Sequence, residues 1–425
     1  MLNNFILRGN ICYSKSAQHL DIIEQGYLIC EAGVSRGVFK ELPEKYKGLE
    51  IRDFKNNIII PGLVDLHVHA PQFSFRSLGM DMELLEWLET NAFPEEAKFK
   101  NTSYAEEAYG LFVDDLVKGA TTRASIFATI HPEATQVLAK QLEKAGIKSY
   151  VGKLNMDRNS PEILCEDSAM RSAADTRFWL EETLAAGYEH VKPILTPRFT
   201  PSCSDELMDY LSELQREYHV PLQSHLSENY SEIEWVRQLC PESKCYGDAY
   251  DRFGLFGSQE PVIMAHCVHS SEYETALMKE RGVMIAHCPN SNTNVMSGIA
   301  PVRFYMDAGL SVGLGSDVAG GFTTSIFRAM SDTIRMSKMR WRLVDDSLKP
   351  LTIEEAFYLA TRGGGAFFGK VGSFEEGYEF DAVVLDDDNI ASTLKPCIKQ
   401  RLERLIYLAD DRNVRHKYAG GVQVL

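Results

Sequence analysis

Ile58-Ile59-Ile60-Pro61-Gly62-Leu63-Val64-Asp65-Leu66-His67-Val68-His69-Ala70 is the stretch on which the fold turns. It is almost continuously apolar, the pattern of a parallel strand buried on both faces. It ends in two histidines at i and i+2, which a strand directs to one side. Seven runs of the same kind follow, at 120–129, 149–156, 190–200, 220–228, 261–269, 282–291 and 310–317. Helical patterns lie between them at 104–118, 132–145, 168–186, 205–217, 231–239, 271–281 and 302–308. Eight strand–helix repeats predict an α/β fold, a closed (β/α)₈ TIM-like barrel rather than an open doubly wound sheet.

Working outward, a last helix is expected at 352–368, opened by Thr352 and Glu355 at capping-box spacing. Residues 1–57 and 370–425 break the rhythm and read as short strands with turns. The expected organisation is a barrel at 58–369, flanked by one small β-sandwich domain built from 1–57 and 370–425, the two chain ends. The first crossover, 71–101, is unusually long. It reads either as a lid over the barrel mouth or as a packed helix at an oligomer interface, and both readings stay open.

Charge and cysteine use narrow the function. The chain has 425 residues, with 44 Lys+Arg against 60 Asp+Glu and a net charge of −16. So acidic a chain repels phosphate backbones and anionic lipid, which excludes nucleic-acid and membrane-surface roles. No apolar run is long enough to span a bilayer. The start, Met1 to Phe5, has no basic region followed by an apolar stretch, so no signal peptide is expected. Nine cysteines, an odd number without C-x-x-C spacing, suit a reduced cytosolic protein.

The chemistry collects at strand ends. Six of the eleven histidines (His67, His69, His225, His266, His269 and His287) lie within the last residues of expected strands, and His131 lies just past the second. Active sites of (β/α)₈ barrels sit at that carboxyl face. His67, His69, His225 and Asp317 would form a mononuclear metal site, one divalent ion per chain. Imidazole and carboxylate suit Zn²⁺, with Fe²⁺ as the alternative. Such an ion lowers the pKa of a bound water from about 15.7 toward roughly 7. Glu228, three residues past His225, reads as a proton carrier, or else as a solvated loop carboxylate. H-E-x-x-H, G-x-S-x-G, G-x-x-x-x-G-K-[ST] and G-x-G-x-x-G are absent.

Longer motifs carry a resemblance. They include Pro61 to His69, Ala70-Pro71-Gln72-Phe73, Leu84-Leu85-Glu86-Trp87-Leu88, Phe93-Pro94, Phe127-Ala128-Thr129-Ile130-His131 and Val151-Gly152-Lys153. Later come Thr196-Pro197-Arg198-Phe199, Ser224-His225-Leu226-Ser227-Glu228-Asn229, His287-Cys288-Pro289-Asn290-Ser291-Asn292 and Gly315-Ser316-Asp317-Val318-Ala319-Gly320-Gly321. Ala360-Thr361-Arg362-Gly363-Gly364 and Gly377-x-x-x-Asp381-Ala382-Val383-Val384 follow. The chain resembles the amidohydrolase superfamily and, within it, the guanine deaminase family, most strongly over 58–330.

The resemblance implies hydrolysis of guanine to xanthine and ammonia, in purine catabolism or salvage, by a cytoplasmic homodimer. It implies His67, His69, His225 and Asp317 as ligands, normally of zinc. It implies Glu228, Asp317 and His266 as catalytic residues, and Gln72, Arg198 and Phe199 as further substrate contacts beside His225. Arg198 offers a planar fork of donors for the purine O6 and N7; its alternative is a salt bridge to an acidic loop. Gln72 would serve another edge of the base, and Phe199 would stack on the ring. Binuclear relatives use a carboxylated lysine at the end of strand four. Here that end is Thr196-Pro197-Arg198, so a second metal is not expected. Ser316 departs from the pattern, where Thr is common. Two rivals stay open. One is another deaminase or chlorohydrolase of the superfamily, acting on cytosine, 8-oxoguanine, an adenosine thioether or a triazine. The other is a catalytically silent scaffold.

Overall fold

The structure, a computed structural model, describes residues 4–257 and 259–425. The expectation about a signal peptide falls largely on Met1 to Asn3, which lie outside the described residues. Eight parallel strands make up the centre, in two four-stranded sheets that each follow chain order. The first sheet holds Leu63–His69, Thr121–Phe127, Lys148–Gly152 and Val191–Pro193. The second holds Leu222–Leu226, Val262–His266, Met284–His287 and Ser311–Leu314. Backbone hydrogen bonds join both pairs of edges. At one, Leu195 N donates to Pro221 O and Gln223 N to Leu195 O, both at 2.9 Å. At the other, Asp317 N donates to His67 O at 2.8 Å and His69 N to Val318 O at 3.1 Å.

The intervening helices fall close to where periodicity places them, at Thr102–Lys118, Pro132–Ala145, Ala169–Ala186, Asp205–Tyr218, Tyr230–Leu239, Glu272–Arg281 and Val302–Asp307. Their starts are chemically marked. Asn101, Ser168, Ser204, Asn229 and Ser271 each accept a backbone N–H of the first turn. No helix among the described residues is long and apolar enough to cross a membrane.

Several expectations need correction. The run 58–70 is two strands. Glu50–Pro61 pairs with Phe5–Ser16 and Ala382–Leu385, and only Leu63–His69 joins the central sheet. The change of sheet occurs at Gly62, whose Cβ would fall 2.1 Å from Thr122 Oγ1. The runs 149–156 and 190–200 are each interrupted, and their second pieces, Leu154–Asn155 and Thr196–Pro197, pair with each other. Pro193 and Pro197 have no N–H for a continuous ladder. The expected helix 352–368 is present but changes type along its length: Ile353–Tyr358, behind the Thr352/Glu355 capping box, is α, Leu359–Gly363 is a π turn, and Ala366–Phe368 closes it as a 3₁₀ turn. Two long helices escaped the pattern, Ile326–Leu343 and Ile398–Leu408, and so did two short ones, Tyr246–Asp251 and Pro289–Asn294. The first buries Ser331, Asp332 and Thr333, which dilutes its apolar stripe.

Both chain ends contribute to one seven-stranded sheet. Its order is Val422–Gln423, Val414–Ala419, Ala382–Leu385, Glu50–Pro61, Phe5–Ser16, His19–Glu31, Val34–Phe39. Two strands separate Phe5 from Tyr418, which in a flat sheet means about 14 Å at 4.7–4.9 Å per strand. Their rings are nevertheless 5.3 Å apart, so the sheet curls strongly. Arg123 of the second central strand ties the two parts together through Asp381 (Nε–Oδ2 2.6 Å). Lys417 does the same from the other side, donating to the carbonyls of Leu116 (2.5 Å), Gly119 (2.9 Å) and Thr121 (3.1 Å).

Candidate active site

Leu63–His69 carries His67 and His69 at its carboxyl end, Leu222–Leu226 carries His225, and Asp317 follows Ser311–Leu314. All four side chains are buried. Ligand atoms of His67, His69 and His225 lie within 4.8 Å of one another. A tetrahedral centre with bonds of about 2.0–2.1 Å has ligand–ligand edges of about 3.3–3.4 Å. Here His69 Nε2 is 3.2 Å from His225 Nε2. Asp317 Oδ1 is 3.1 Å from His67 Nε2 and 3.5 Å from His69 Nε2. His67 Nδ1 is buried without a hydrogen-bond partner, and its Nε2 faces only the Asp317 carboxylate, so that nitrogen and that oxygen are placed to share a cation. His225 Nδ1 faces the Arg198 carbonyl at 2.5 Å, which leaves its Nε2 lone pair toward the cluster. Burial pushes the imidazoles of His67, His69 and His225 down, so they are neutral donors. These residues therefore fit one divalent ion. A second set, His67, His266, Cys288 and Asp317, is also close. Burial holds the Cys288 thiol well above its ordinary range, however, and the thiol form is a poor ligand.

Beside the cluster stand two proton-handling groups. Glu228 is buried, with Oε2 3.4 Å from His266 Nε2 and Oε1 accepting from Ser297 Oγ at 3.1 Å. Burial first, and then the charge of Asp317, push Glu228 up to about 8. His266 Nδ1 is 2.8 Å from Asn292 Oδ1, and its Nε2 is 3.8 Å from Asp317 Oδ2. Burial also pushes Asp317 up, but the imidazole of His67, with those of His266 and His69, outweighs it and holds the carboxyl well below the carboxylate range. Ser227, His266, Cys267 and Asp317 all have left-handed backbones, with φ of 46°, 73°, 48° and 48°. Non-glycine residues persist there only when their surroundings hold them, a condition that clusters at functional sites.

A pocket opens over these groups. His69, Gln72, Arg198, Phe199, His225, Glu228, His266 and Asp317 line it, whereas His67 lies behind. The sequence-singled His131 and His269 are not among its lining residues; His269 Nε2 bonds the Ser297 carbonyl at 2.6 Å. The segment 71–101 covers it as a succession of short helical turns, Leu84–Trp87, Leu88–Ala92, Phe93–Glu96 and Ala97–Lys100, and contributes Leu84, Trp87 and Leu88 to the walls. Arg198 makes the salt bridge raised as its alternative role. Its terminal nitrogens Nη1 and Nη2 reach Glu96 Oε2 at 2.6 Å and Oε1 at 3.1 Å. It also lines the pocket, so the two roles coexist. Phe199 meets Trp235 edge-on at 6.2 Å between centroids.

Comparison with known proteins follows the same outline. The model of the amidohydrolase family matches residues 58–424. The chain belongs to the amidohydrolase family. Guanine deaminase of Dictyostelium discoideum is 41% identical over 380 residues, which is 88% of this chain and 83% of that one. Guanine deaminase of Escherichia coli is 31% identical over 423 residues, 95% of this chain and 92% of the other. The crystal structure of guanine deaminase from C. acetobutylicum with guanine bound in its active site is 48% identical and superposes with a TM-score of 0.96 over the whole of both chains.

Sequence reasoning missed several residues of the site. Glu96, on the long first crossover, is one of them. Asp65 accepts the backbone N–H of His67 (3.2 Å) and Ser316 (3.0 Å), tying strand one to the loop that carries Asp317. Glu232 accepts the N–H of Glu228 at 3.1 Å and lines the pocket. Its spacing from Asn229, a capping box, was the available signal.

Proposed function

We propose that this chain is a guanine deaminase, a metal-dependent hydrolase that cleaves the C2–amino bond of guanine to give xanthine and ammonia in purine catabolism or salvage. The observation that carries the reading is one pocket in which a three-imidazole, one-carboxylate donor set meets Glu228, His266, Arg198 and Gln72. The whole-chain likeness to a protein that holds guanine in its active site supports it.

His67, His69, His225 and Asp317 would hold one divalent ion, zinc with iron as the alternative. When bound, it makes water a nucleophile near neutral pH. Glu228, protonated at neutral pH, gives its proton to guanine N3, which draws electrons from C2. His266, held by Asn292, orients the substrate and the attacking water. Asp317 and Glu228, the latter a carboxylate once N3 is protonated, take protons from the attacking water and carry them to the amine, which leaves as ammonia. Arg198 and Gln72 read the polar edges of the base, and Phe199 lies against its ring.

The two parallel sheets make one closed (β/α)₈ barrel, because hydrogen bonds join both pairs of edges. The curled terminal sheet serves as a β-sandwich built from 1–57 and 370–425 and flanking 58–369, except that strand Glu50–Pro61 carries it four residues past that boundary, to the crossing at Gly62. Buried thiols such as Cys12, Cys203 and Cys267 suit the reducing cytoplasm. Met339, Trp341, Leu343 and Val344, exposed around the end of Ile326–Leu343, offer apolar surface to a homodimer.

The test is an ultraviolet assay of guanine loss and xanthine gain on zinc-loaded protein, with cytosine, adenine and 8-oxoguanine alongside. Guanine turned over well above the others is the expected result. No guanine turnover with one metal per chain would leave a hydrolase site and discard this substrate.

A further inference from the structure

We propose that Glu96, on the segment covering the pocket, is a positioning residue that sets specificity for guanine by fixing Arg198 and Gln72. The inference rests on the reading of the pocket as a guanine site. Glu96 is only 1% exposed, yet its carboxylate is fully engaged. Oε2 accepts from Arg198 Nη1 at 2.6 Å, and Oε1 accepts from Arg198 Nη2 at 3.1 Å and from Gln72 Nε2 at 2.8 Å. The far end of the Gln72 amide is also occupied, because its Oε1 accepts the Ala319 N–H at 3.0 Å. Three residues before Glu96, the ring of Phe93 lies 5.0 Å from Arg198 Cζ. One short helical turn thus grips the guanidinium by charge and by its flat face.

The consequences for recognition are specific. A guanidinium has five N–H groups in a fixed plane, and Glu96 uses one on each terminal nitrogen. Nη1 also points to Met156 Sδ at 3.8 Å, and the donors left on Nη2 and Nε lie in a plane that Glu96 dictates. Gln72 cannot flip its amide without setting its carbonyl against the carboxylate and its N–H₂ against the Ala319 N–H. The group it can still offer the pocket from nitrogen is therefore a donor. Two fixed sets of donors suit a base edge that presents acceptors, as the O6 and N7 of guanine do, and oppose one that presents an amino group there. Glu96 also neutralises Arg198, so a neutral base meets directed hydrogen bonds rather than an unpaired buried charge.

The test is a double-mutant cycle on the full zinc-loaded chain, with Glu96→Gln, Arg198→Ala and the pair, reading kcat and KM for guanine with metal content measured for each. Glutamine keeps the volume but places an N–H₂ against donors. Glu96→Gln should raise KM about tenfold or more while kcat changes less than about threefold and metal stays at one per chain. In the Arg198→Ala background the same change should cost little more, because the residue acts through Arg198. An unchanged KM in Glu96→Gln, or single effects that simply multiply in the pair, would overturn the inference while leaving guanine turnover by the unaltered enzyme intact. Failure of the unaltered enzyme to act on guanine would instead remove the reading beneath it. If Glu96→Gln gives no folded protein, Glu96→Asp, which keeps the charge and shortens the reach, carries the same expectations.

Discussion

Replacing Glu228 by Gln removes a transferable proton and little else. The side chain is buried, accepts from Ser297 Oγ at 3.1 Å, and has its other oxygen 3.4 Å from His266 Nε2. Glutamine fills the same volume, and its carbonyl can still accept from Ser297. The backbone is held independently, since Glu232 accepts the N–H of residue 228 at 3.1 Å. Fold and metal content should therefore be unchanged. The loss should be that of one acid–base group, about 10²–10⁴-fold in kcat, or roughly 2.7–5.4 kcal/mol of transition-state stabilisation. The pH profile sharpens the test. Burial and the charge of Asp317 push Glu228 up to about 8, so it is protonated at neutral pH and loses its proton as pH rises through that value. As a proton donor it should impose a fall in kcat/KM on the alkaline side. That limb should be missing from whatever activity Glu228→Gln retains. The assay is steady-state xanthine formation across pH, with metal measured on the same samples. Unaltered kcat at one metal per chain, or an alkaline limb that survives the substitution, would refute the assignment.

Other consequences are open to measurement. Asp317→Ala removes the carboxylate that lies 3.1 and 3.5 Å from two imidazole nitrogens. Elemental analysis should find it largely metal-free and inactive, and full occupancy would count against a ligand role. Lys417→Met should lower the urea midpoint, because it leaves three buried carbonyls without their donor at about 1–3 kcal/mol each. The pH dependence of stability should change as well. Burial pushes Lys417 from its ordinary 10.5 down to about 7. Between those values the unfolded chain binds the extra proton, so this contribution is complete above about pH 10.5 and is lost as pH falls toward about 7. The rise in urea midpoint across that window should be smaller in Lys417→Met, and an equal rise would assign it to other groups.

What could be read from sequence, and what could not, divides along the range of the interactions involved. The central strands were legible because both faces are buried, so composition alone marks them. The pair His67 and His69 was legible because strand geometry converts a spacing of two into a shared direction, and His225, His266 and Asp317 because each ends a recognisable run. The helix Ile398–Leu408 was not. Its buried face includes Arg401, made tolerable by Asp387 and by the distant Asn56, and neither partner shows in a local pattern. Glu95 and Glu96 make the same point more sharply. As neighbours of identical chemistry they are interchangeable in the sequence. The fold sends Glu95 to Lys98 on its own segment and to Tyr104 in the first turn of the next helix, and Glu96 to Arg198, which lies 102 positions further on.

That long-range choice also dissolves an opposition the sequence invites. A salt-bridged arginine and a substrate-reading arginine look like competing roles when the residue is considered alone. A guanidinium has more hydrogens than one carboxylate can take, and a fully buried arginine with no partner would carry a large desolvation cost. An arginine meant to read a neutral base inside a closed pocket therefore needs a carboxylate behind it, and the pairing is a condition of the reading. The same logic makes the covering segment part of the recognition machinery, since the carboxylate that completes Arg198 is carried by that segment and by no strand of the central sheets. A change that displaces Phe93 to Glu96 should consequently be felt first as lost discrimination among bases, with the metal still in place.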